Sequence, residues 1–499
     1  SGMLSTAPDP EGEVGYRLFH QSLNEHILQN QEMEKPVKRA RRTFADLAEK
    51  NNPPPELRNY LLRCGMDHLL EIDRKQEAER LLLDLDHLYA MSQQGVKELT
   101  FYRYWEVLGG EERAMQYLDS AEKTLQRQGD EDIFQKVDLV SNLAGTAYWT
   151  KISVPLAEKI LVAKKNKLGP DHPSVAGSYN NLGLAYSDKG EYDRGIEYYE
   201  KSLKIYLEKL GHDHPDVSFS YNNLGAAYSD KREYDRGIEY YEKSLKIRLE
   251  KLGHDHPKVA TSYNNLGLAY SDKGEYDRAI EYYEKSLKIR LEKLGHDHPS
   301  VALSYNNLGL AYSDKGEYDR AIEYYEKCLE IELDKLGHDH PDVSFSYNNL
   351  GAAYSDKGEY DRGIEYYEKS LKIRLEKLGH DHPKVATSYN NLGLAYSDKG
   401  EYDRAIEYYE KCLEIQLEKL GHDHPDVAHS CNNLGGAYDN KGEYDRAIEY
   451  YEKSLEILLD KLGHDHPSVA TSYNNLGSAY IYKGENDRAI EYYEKSLKI

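Results

Sequence analysis

Apolar residues along most of this chain recur at steps of three and four, and the pattern restarts every 42 residues. Pro173, Val175, Tyr179, Leu182 and Tyr186 form one stripe, which predicts an amphipathic helix started by Pro173 and stopped at Gly190. Tyr192, Ile196, Tyr199, Leu203, Leu207 and Leu210 form a second stripe on a second helix, closed by Gly211. His212-Asp213-His214-Pro215 leads into the next copy. The run Tyr179-Asn180-Asn181-Leu182-Gly183 returns from Tyr221, Tyr263, Tyr305, Tyr347 and Tyr389, then with Cys431 and finally Tyr473 in first place. Neither helix, A or B, can bury its stripe alone, so the pairs must stack on one another as an all-α solenoid. At about 25 cal/mol per Å² of apolar surface, shared burial is the main stabilising contribution.

Tyr179, Leu182, Gly183, Tyr186, Gly195, Tyr199 and Ser202 fall on the spacing of the tetratricopeptide signature, and residues 171–499 resemble that family as eight regular repeats. Five other copies have alanine at the Gly195 position, among them Ala279, Ala321 and Ala489, as the family's close helix crossing prefers. The long helices and the Leu-Gly-x-Asp-His-Pro connection resemble the kinesin-light-chain type of repeat. The resemblance implies a right-handed superhelix with A helices lining a concave groove.

Because the copies are so alike, their disagreements separate constrained from free positions. Gly177 becomes Phe219, Thr261, Leu303, Phe345, Thr387, His429 and Thr471. Ser174 alternates with Asp216 and Lys258, and Leu184 becomes Ala226, Gly436 or Ser478. At about 100° per residue, positions 174, 177, 181, 184 and 188 share one face of helix A, opposite Tyr179, Leu182 and Tyr186. Position 206 also varies, through Tyr206, Arg248, Glu332, Gln416 and Leu458, with its direction undefined by the pattern.

Two residues on the variable face hardly change. One is Asn181, with Asn223, Asn265, Asn307, Asn349, Asn391, Asn433 and Asn475; the other is Asp188, with Asp230, Asp272, Asp314, Asp356 and Asp398. A column of carboxamides can donate to and accept from a peptide backbone whatever its side chains. In related arrays asparagine at this position holds extended peptides, which is what the resemblance implies here; the plainer alternative is that it satisfies backbone groups between helices. Selectivity would then reside at 174, 177 and 184, and the aspartates would favour basic segments.

Residues 216–288 reappear almost unchanged at 342–414, with Arg232 against Gly358 among the differences, so the array has grown in blocks of three repeats. The last copy departs at Ile481, Tyr482 and Asn486 and carries no polar capping helix, which predicts an apolar end face covered by further sequence or by a second copy of the chain.

The first 170 residues differ in kind. Ser1-Gly2 ahead of Met3 reads as a remnant of expression and is set aside. Tyr16-Arg17-Leu18-Phe19-His20-Gln21-Ser22-Leu23-Asn24-Glu25 resembles the end of the winged-helix region in signalling NTPases of the NACHT and NB-ARC kind. Tyr60-Leu61-Leu62, Asp67-His68-Leu69-Leu70 and Leu81-Leu82-Leu83-Asp84 resemble the helical linker that follows there. The resemblance implies that His20 touches bound nucleoside diphosphate in a longer parent protein. On this reading residues 1–30 end a winged-helix region, 31–92 are linker, and 93–170 are degenerate repeats. Within the last, Glu112 to Tyr117 reads like a B helix and Gly145 to Tyr148 like an A helix.

No Gly-x-x-x-x-Gly-Lys-Ser/Thr loop occurs in the chain, so ATP or ADP would belong to the parent's nucleotide domain and no cofactor is expected here. No nucleophile with a partnered base is readable, and a catalytic role for the chain is not expected. The His-x-His pairs sit at helix entrances with no third ligand repeated nearby, which argues against metal. A net charge of −23 disfavours nucleic acid and anionic membranes as partners, and the one basic cluster, Lys35 to Arg42, reads as a solvated face. Four cysteines without paired spacing fit a reducing, cytoplasmic setting. The composite expectation is the peptide-sensing part of a nucleotide-switched signalling protein, of the immune-receptor or antiviral class. The alternative is a cargo or scaffold adaptor of kinesin-light-chain type.

Overall fold

The computed structural model describes residues 55–127 and 132–499, together with residues 7–8, 14–15, 42 and 46. Ala7–Pro8 and Val14–Gly15 pair as a two-residue antiparallel ladder; every other described element is helical. The chain divides into two compact units, residues 1–251 and 252–499.

The first unit opens with eight helices: α1 (Pro55–Glu71), α2 (Lys75–Leu83), α3 (Leu85–Gln93), α4 (Glu98–Leu108), α5 (Gly110–Ala114), α6 (Tyr117–Leu125), α7 (Ile133–Thr146) and α8 (Thr150–Leu168). Met66, Leu88, Trp105, Val137 and Ile160 belong to one buried cluster, so packing is continuous across residues 92 and 93. Inside it the Trp105 indole N–H donates to the Tyr117 hydroxyl at 2.9 Å. The predicted B-like segment is broken between Ala114 and Tyr117, after two left-handed glycines, Gly109 and Gly110. Gly145 to Tyr148 closes α7 in a turn with Tyr148 at φ 55°. Helix α8 has the 19-residue length of the regular B helices and, like them, a glycine at its end, Gly169. Leu156 and Ile160 of α8 enter the N-terminal core, while Val154, Ala157 and Leu161 pack with Val175, Ala176 and Leu182 of the first repeat.

Repeats 1 and 2 have A helices Pro173–Asp188 and Pro215–Asp230, and B helices Tyr192–Leu210 and Tyr234–Leu252. The second unit holds repeats 3 to 8. Their A helices are Pro257–Asp272, Pro299–Asp314, Pro341–Asp356, Pro383–Asp398, Pro425–Lys441 and Pro467–Lys483. The B helices are Tyr276–Leu294, Tyr318–Leu336, Tyr360–Leu378, Tyr402–Leu420, Tyr444–Leu462 and Asn486–Ser496.

Each helix pair is built the same way. The second histidine of the connection is the N-cap: His214 Nδ1 accepts the Asp216 backbone N–H at 3.2 Å, and His298 Nδ1 accepts that of Ser300 at 3.0 Å. This uses the neutral ring and places proline at the first helical position, where its missing N–H costs nothing. At the A–B crossing, a Cβ on Gly183 would lie 2.7 Å from the Tyr199 ring, so only glycine allows that approach. The Ser244 hydroxyl, buried in helix B, donates to the Ser218 carbonyl of helix A at 2.7 Å. On the other side, Tyr186 and Tyr198 stack at 5.5 Å and the Arg194 guanidinium covers Tyr186 at 3.9 Å.

Candidate functional site

Helix A buries Val175, Leu182 and Tyr186 and turns its variable stripe outward. Phe219, Leu303 and Phe345 are each 51% exposed, and Leu184 and Leu394 about half. Thr261, Thr387, His429 and Thr471 are exposed, while Gly177 and Ala226 are half-buried. The Thr261, Thr387 and Thr471 hydroxyls donate to their own helix carbonyls four residues back, at 3.3, 3.3 and 3.2 Å. Phenylalanine and leucine at this position have no interior to enter.

The asparagine column lies at the edge of this face. Asn307 and Asn349 are buried, and Asn181, Asn223, Asn265, Asn391, Asn433 and Asn475 half-buried. Each resolved tie reaches back one repeat: Asn307 Nδ2 donates to Asn264 Oδ1 at 3.0 Å. Asn349, Asn391, Asn433 and Asn475 donate likewise to Asn306, Asn348, Asn390 and Asn432, all at 2.9 Å. One amide hydrogen of Asn307, Asn349, Asn391, Asn433 and Asn475 is therefore committed between repeats, and the second N–H of each takes no part in this tie. The sequence reading did not assign the preceding asparagine, Asn306 and its equivalents, although it is constant in all eight copies.

Asp188, Asp272, Asp314, Asp356 and Asp398 continue the face toward the end of each A helix. Partial burial holds all five carboxyls above the ordinary aspartate range, and like charge adds to it: Asp230 beside Asp188, Asp314 beside Asp272 and Asp398 beside Asp356. A cation lying along this column would relieve that repulsion.

Position 206, whose direction the sequence left open, points inward, where helix B meets the next repeat. Tyr206 and Leu458 are buried. Arg290 Nη1 donates to the Ser300 carbonyl at 2.9 Å and to Ser304 Oγ at 2.8 Å; Arg374 treats Lys384 and Ser388 the same way. Where the residue is Glu332 or Gln416 the polarity reverses, and the hydroxyls of Ser346 and Ser430 donate to it at 2.6 and 2.7 Å. Cys328 and Cys412 accompany that reversal, with Sγ 3.6 and 3.5 Å from those same hydroxyls.

His20 and the Tyr16 to Glu25 segment lie outside the described residues, as does most of the Lys35 to Arg42 cluster. No helix among the described residues is long and apolar enough to cross a membrane.

Stacked helix pairs with one outward-facing A-helix stripe define a helical-repeat, protein-binding domain. Tetratricopeptide repeat models match residues 174–236, 221–292, 265–333, 300–362, 342–418, 385–460 and 432–499, and the chain belongs to the tetratricopeptide repeat family. Among solved structures it is similar to a Podosopora anserina protein of kinesin-light-chain type with nearly identical TPR-like repeats. Identity is 28% over 42% of this chain and 98% of that one, with a TM-score of 0.39. BtubC (BKLC) of P. vanneervenii is 24% identical over 45% and 88%, with a TM-score of 0.38. The apo quorum sensor NprR of B. thuringiensis is 18% identical over 74% and 99%, with a TM-score of 0.49. No curated protein matches the chain.

Proposed function

We propose that the A-helix face captures an extended peptide segment of a partner protein. The asparagine column engages the segment's backbone, and the 177 and 184 positions select its side chains. The supporting observation is the half exposure of Phe219, Leu303 and Phe345 at the column where the copies disagree most. The exposed half of each of these apolar side chains adds no burial to the helix pair and is available for contact. The aspartate column favours lysine or arginine in the same segment.

On the same reading, the array is the sensing part of a nucleotide-switched signalling protein of the NACHT or NB-ARC-like class, with a role in defence. Support comes from the Phe19-His20 segment and from α8, whose two faces belong to the N-terminal core and to the first repeat. Strain imposed on the first repeat can reach that core through these packed side chains.

Display of a random peptide library against the full chain tests the recognition step. Basic peptides with spaced apolar residues are the expected enrichment. A Leu303→Ser, Phe345→Ser, Leu394→Ser variant should bind them at least about tenfold more weakly, with unchanged helicity. Equal affinity for both proteins would remove this face from recognition. The switch is tested separately: a phosphate loop encoded upstream of Met3 is expected, and its absence would leave the adaptor reading.

A further inference from the structure

Repeats 4 and 7 contain the same cleft with one residue changed. It lies against the helix pair of its repeat and the His-Asp connection that leads into it. In repeat 4 it has a volume of about 540 Å³ and is lined by Tyr305, Lys327 and Ile331, among others. In repeat 7 the tyrosine position is Cys431, and the cleft grows to about 870 Å³. The thiol exposes a floor absent from the lining at repeat 4, made of Leu413, Leu417, Val427 and Tyr450. Volumes of this size are typical of sites for small organic ligands.

The missing group is an aromatic ring, and its former partners are still present. In repeat 6, Tyr408 lies between two rings, Tyr396 at 5.5 Å and Tyr389 at 6.0 Å, and Lys411 sits 5.9 Å above Tyr389. Repeats 3, 4 and 5 repeat that arrangement, with Tyr263, Tyr305 and Tyr347 as the second ring. In repeat 7, Tyr450 keeps Tyr438 at 5.6 Å on one side and Lys453 at 4.9 Å, and on its other side meets the cleft. The apolar side chains, the Tyr450 ring and the Lys453 ammonium can each contact a flat aromatic group, and the carboxylates of Asp423, Glu456 and Asp460 in the same lining can accept from a phenolic hydroxyl. Cys431 itself supplies space: it is 4% exposed, and burial pushes its thiol up to about 11, so it is no nucleophile at neutral pH.

We infer that the repeat 7 cleft is a binding site for a small aromatic compound of the phenol class, whose ring takes the place that tyrosine fills in the neighbouring repeats. This site lies apart from the variable A-helix face and stands independently of the peptide-recognition proposal.

Titration of the full chain with 4-fluorophenol, followed by fluorine NMR, tests it. One saturable site is expected, displaced by 4-methylphenol and not by cyclohexanol. Cys431→Tyr restores the residue found in the other repeats and should weaken binding at least tenfold without lowering the melting temperature; Cys431→Ala should keep it. Tyr305→Cys should create a second site and double the stoichiometry, which decides the matter even where Cys431→Tyr folds poorly. Absence of saturable binding to the natural chain, equal binding by Cys431→Tyr, or unchanged stoichiometry in Tyr305→Cys would overturn the inference.

Discussion

Asn349 reaches back across one repeat to Asn306, its Nδ2 donating to the other's Oδ1 at 2.9 Å. The contact separates two roles for the column. Removing either side chain breaks the tie and leaves a buried polar partner, at a cost of about 1–3 kcal/mol. Only Asn349→Ala also removes an amide of the column proposed to engage the peptide backbone. Peptide affinity should therefore fall in Asn349→Ala and hold in Asn306→Ala, while both lower the melting temperature alike. Equal loss of affinity in both would reduce the column to scaffold.

Arg232 occupies a left-handed turn at φ 65°, where the other regular repeats have glycine, such as Gly358 at φ 86°. A side chain in that conformation costs roughly 1–2 kcal/mol, partly offset by the greater freedom of glycine in the unfolded chain. Arg232→Gly should stabilise the chain by about 0.5–1 kcal/mol, read as a higher denaturation midpoint.

Burial holds the Glu332 carboxyl above its ordinary value, an effect opposed by the hydrogen bonds from Ser346 and Cys328. A raised folded pKa means that the folded state binds the proton more tightly than the unfolded one. The resulting stabilisation is complete below the ordinary glutamate range and is lost as pH rises through the folded value. Glu332→Gln copies Gln416, which accepts the same serine bond in repeat 6 without a charge. The variant should melt higher than the natural chain at pH 7, and the difference should shrink toward pH 4. A constant difference across that range would exclude the carboxyl as its source.

A Cβ on Gly351 would fall 2.7 Å from the Tyr367 ring. Overpacking of this kind typically costs about 1–3 kcal/mol, so Gly351→Ala should lower the denaturation midpoint without unfolding the remaining repeats. The same substitution in the Lys357-Gly358 turn meets open space and should act only through its backbone strain.

The helix pairs were legible because proline, glycine and the three-and-four recurrence mark every boundary, from Pro173 to Gly211. The exposed column at 177 was legible because eight near-copies vary there. Position 206 varied just as plainly, yet its burial was not readable. Helix B packs on two partners, its own A helix and the next one, so Ile205 and Tyr206 are buried beside the stripe traced through Leu203 and Leu207. Asn306 was visible as a constant residue, but its role depends on a neighbour 43 residues away. Cys431 stood out as a replaced tyrosine; the cleft that it opens required Leu413, Leu417 and Val427 to be placed around it.

Position 206 alternates between donor, acceptor and apolar groups, yet the partner it meets is constant: Ser304, Ser346, Ser388 and Ser430 hold the same place in their A helices, and a hydroxyl can donate or accept. A repeat can therefore be joined at this contact without a new set of partners. The duplicated block goes further. Residues 216–220 and 342–346 are identical, so excising 216–341 would present Tyr206 with the Asp-Val-Ser-Phe-Ser entrance it already faces. The array can thus change length by three repeats without inventing a junction. Its inheritance is modular in triplets, while the exposed column travels with them as a set of interchangeable letters.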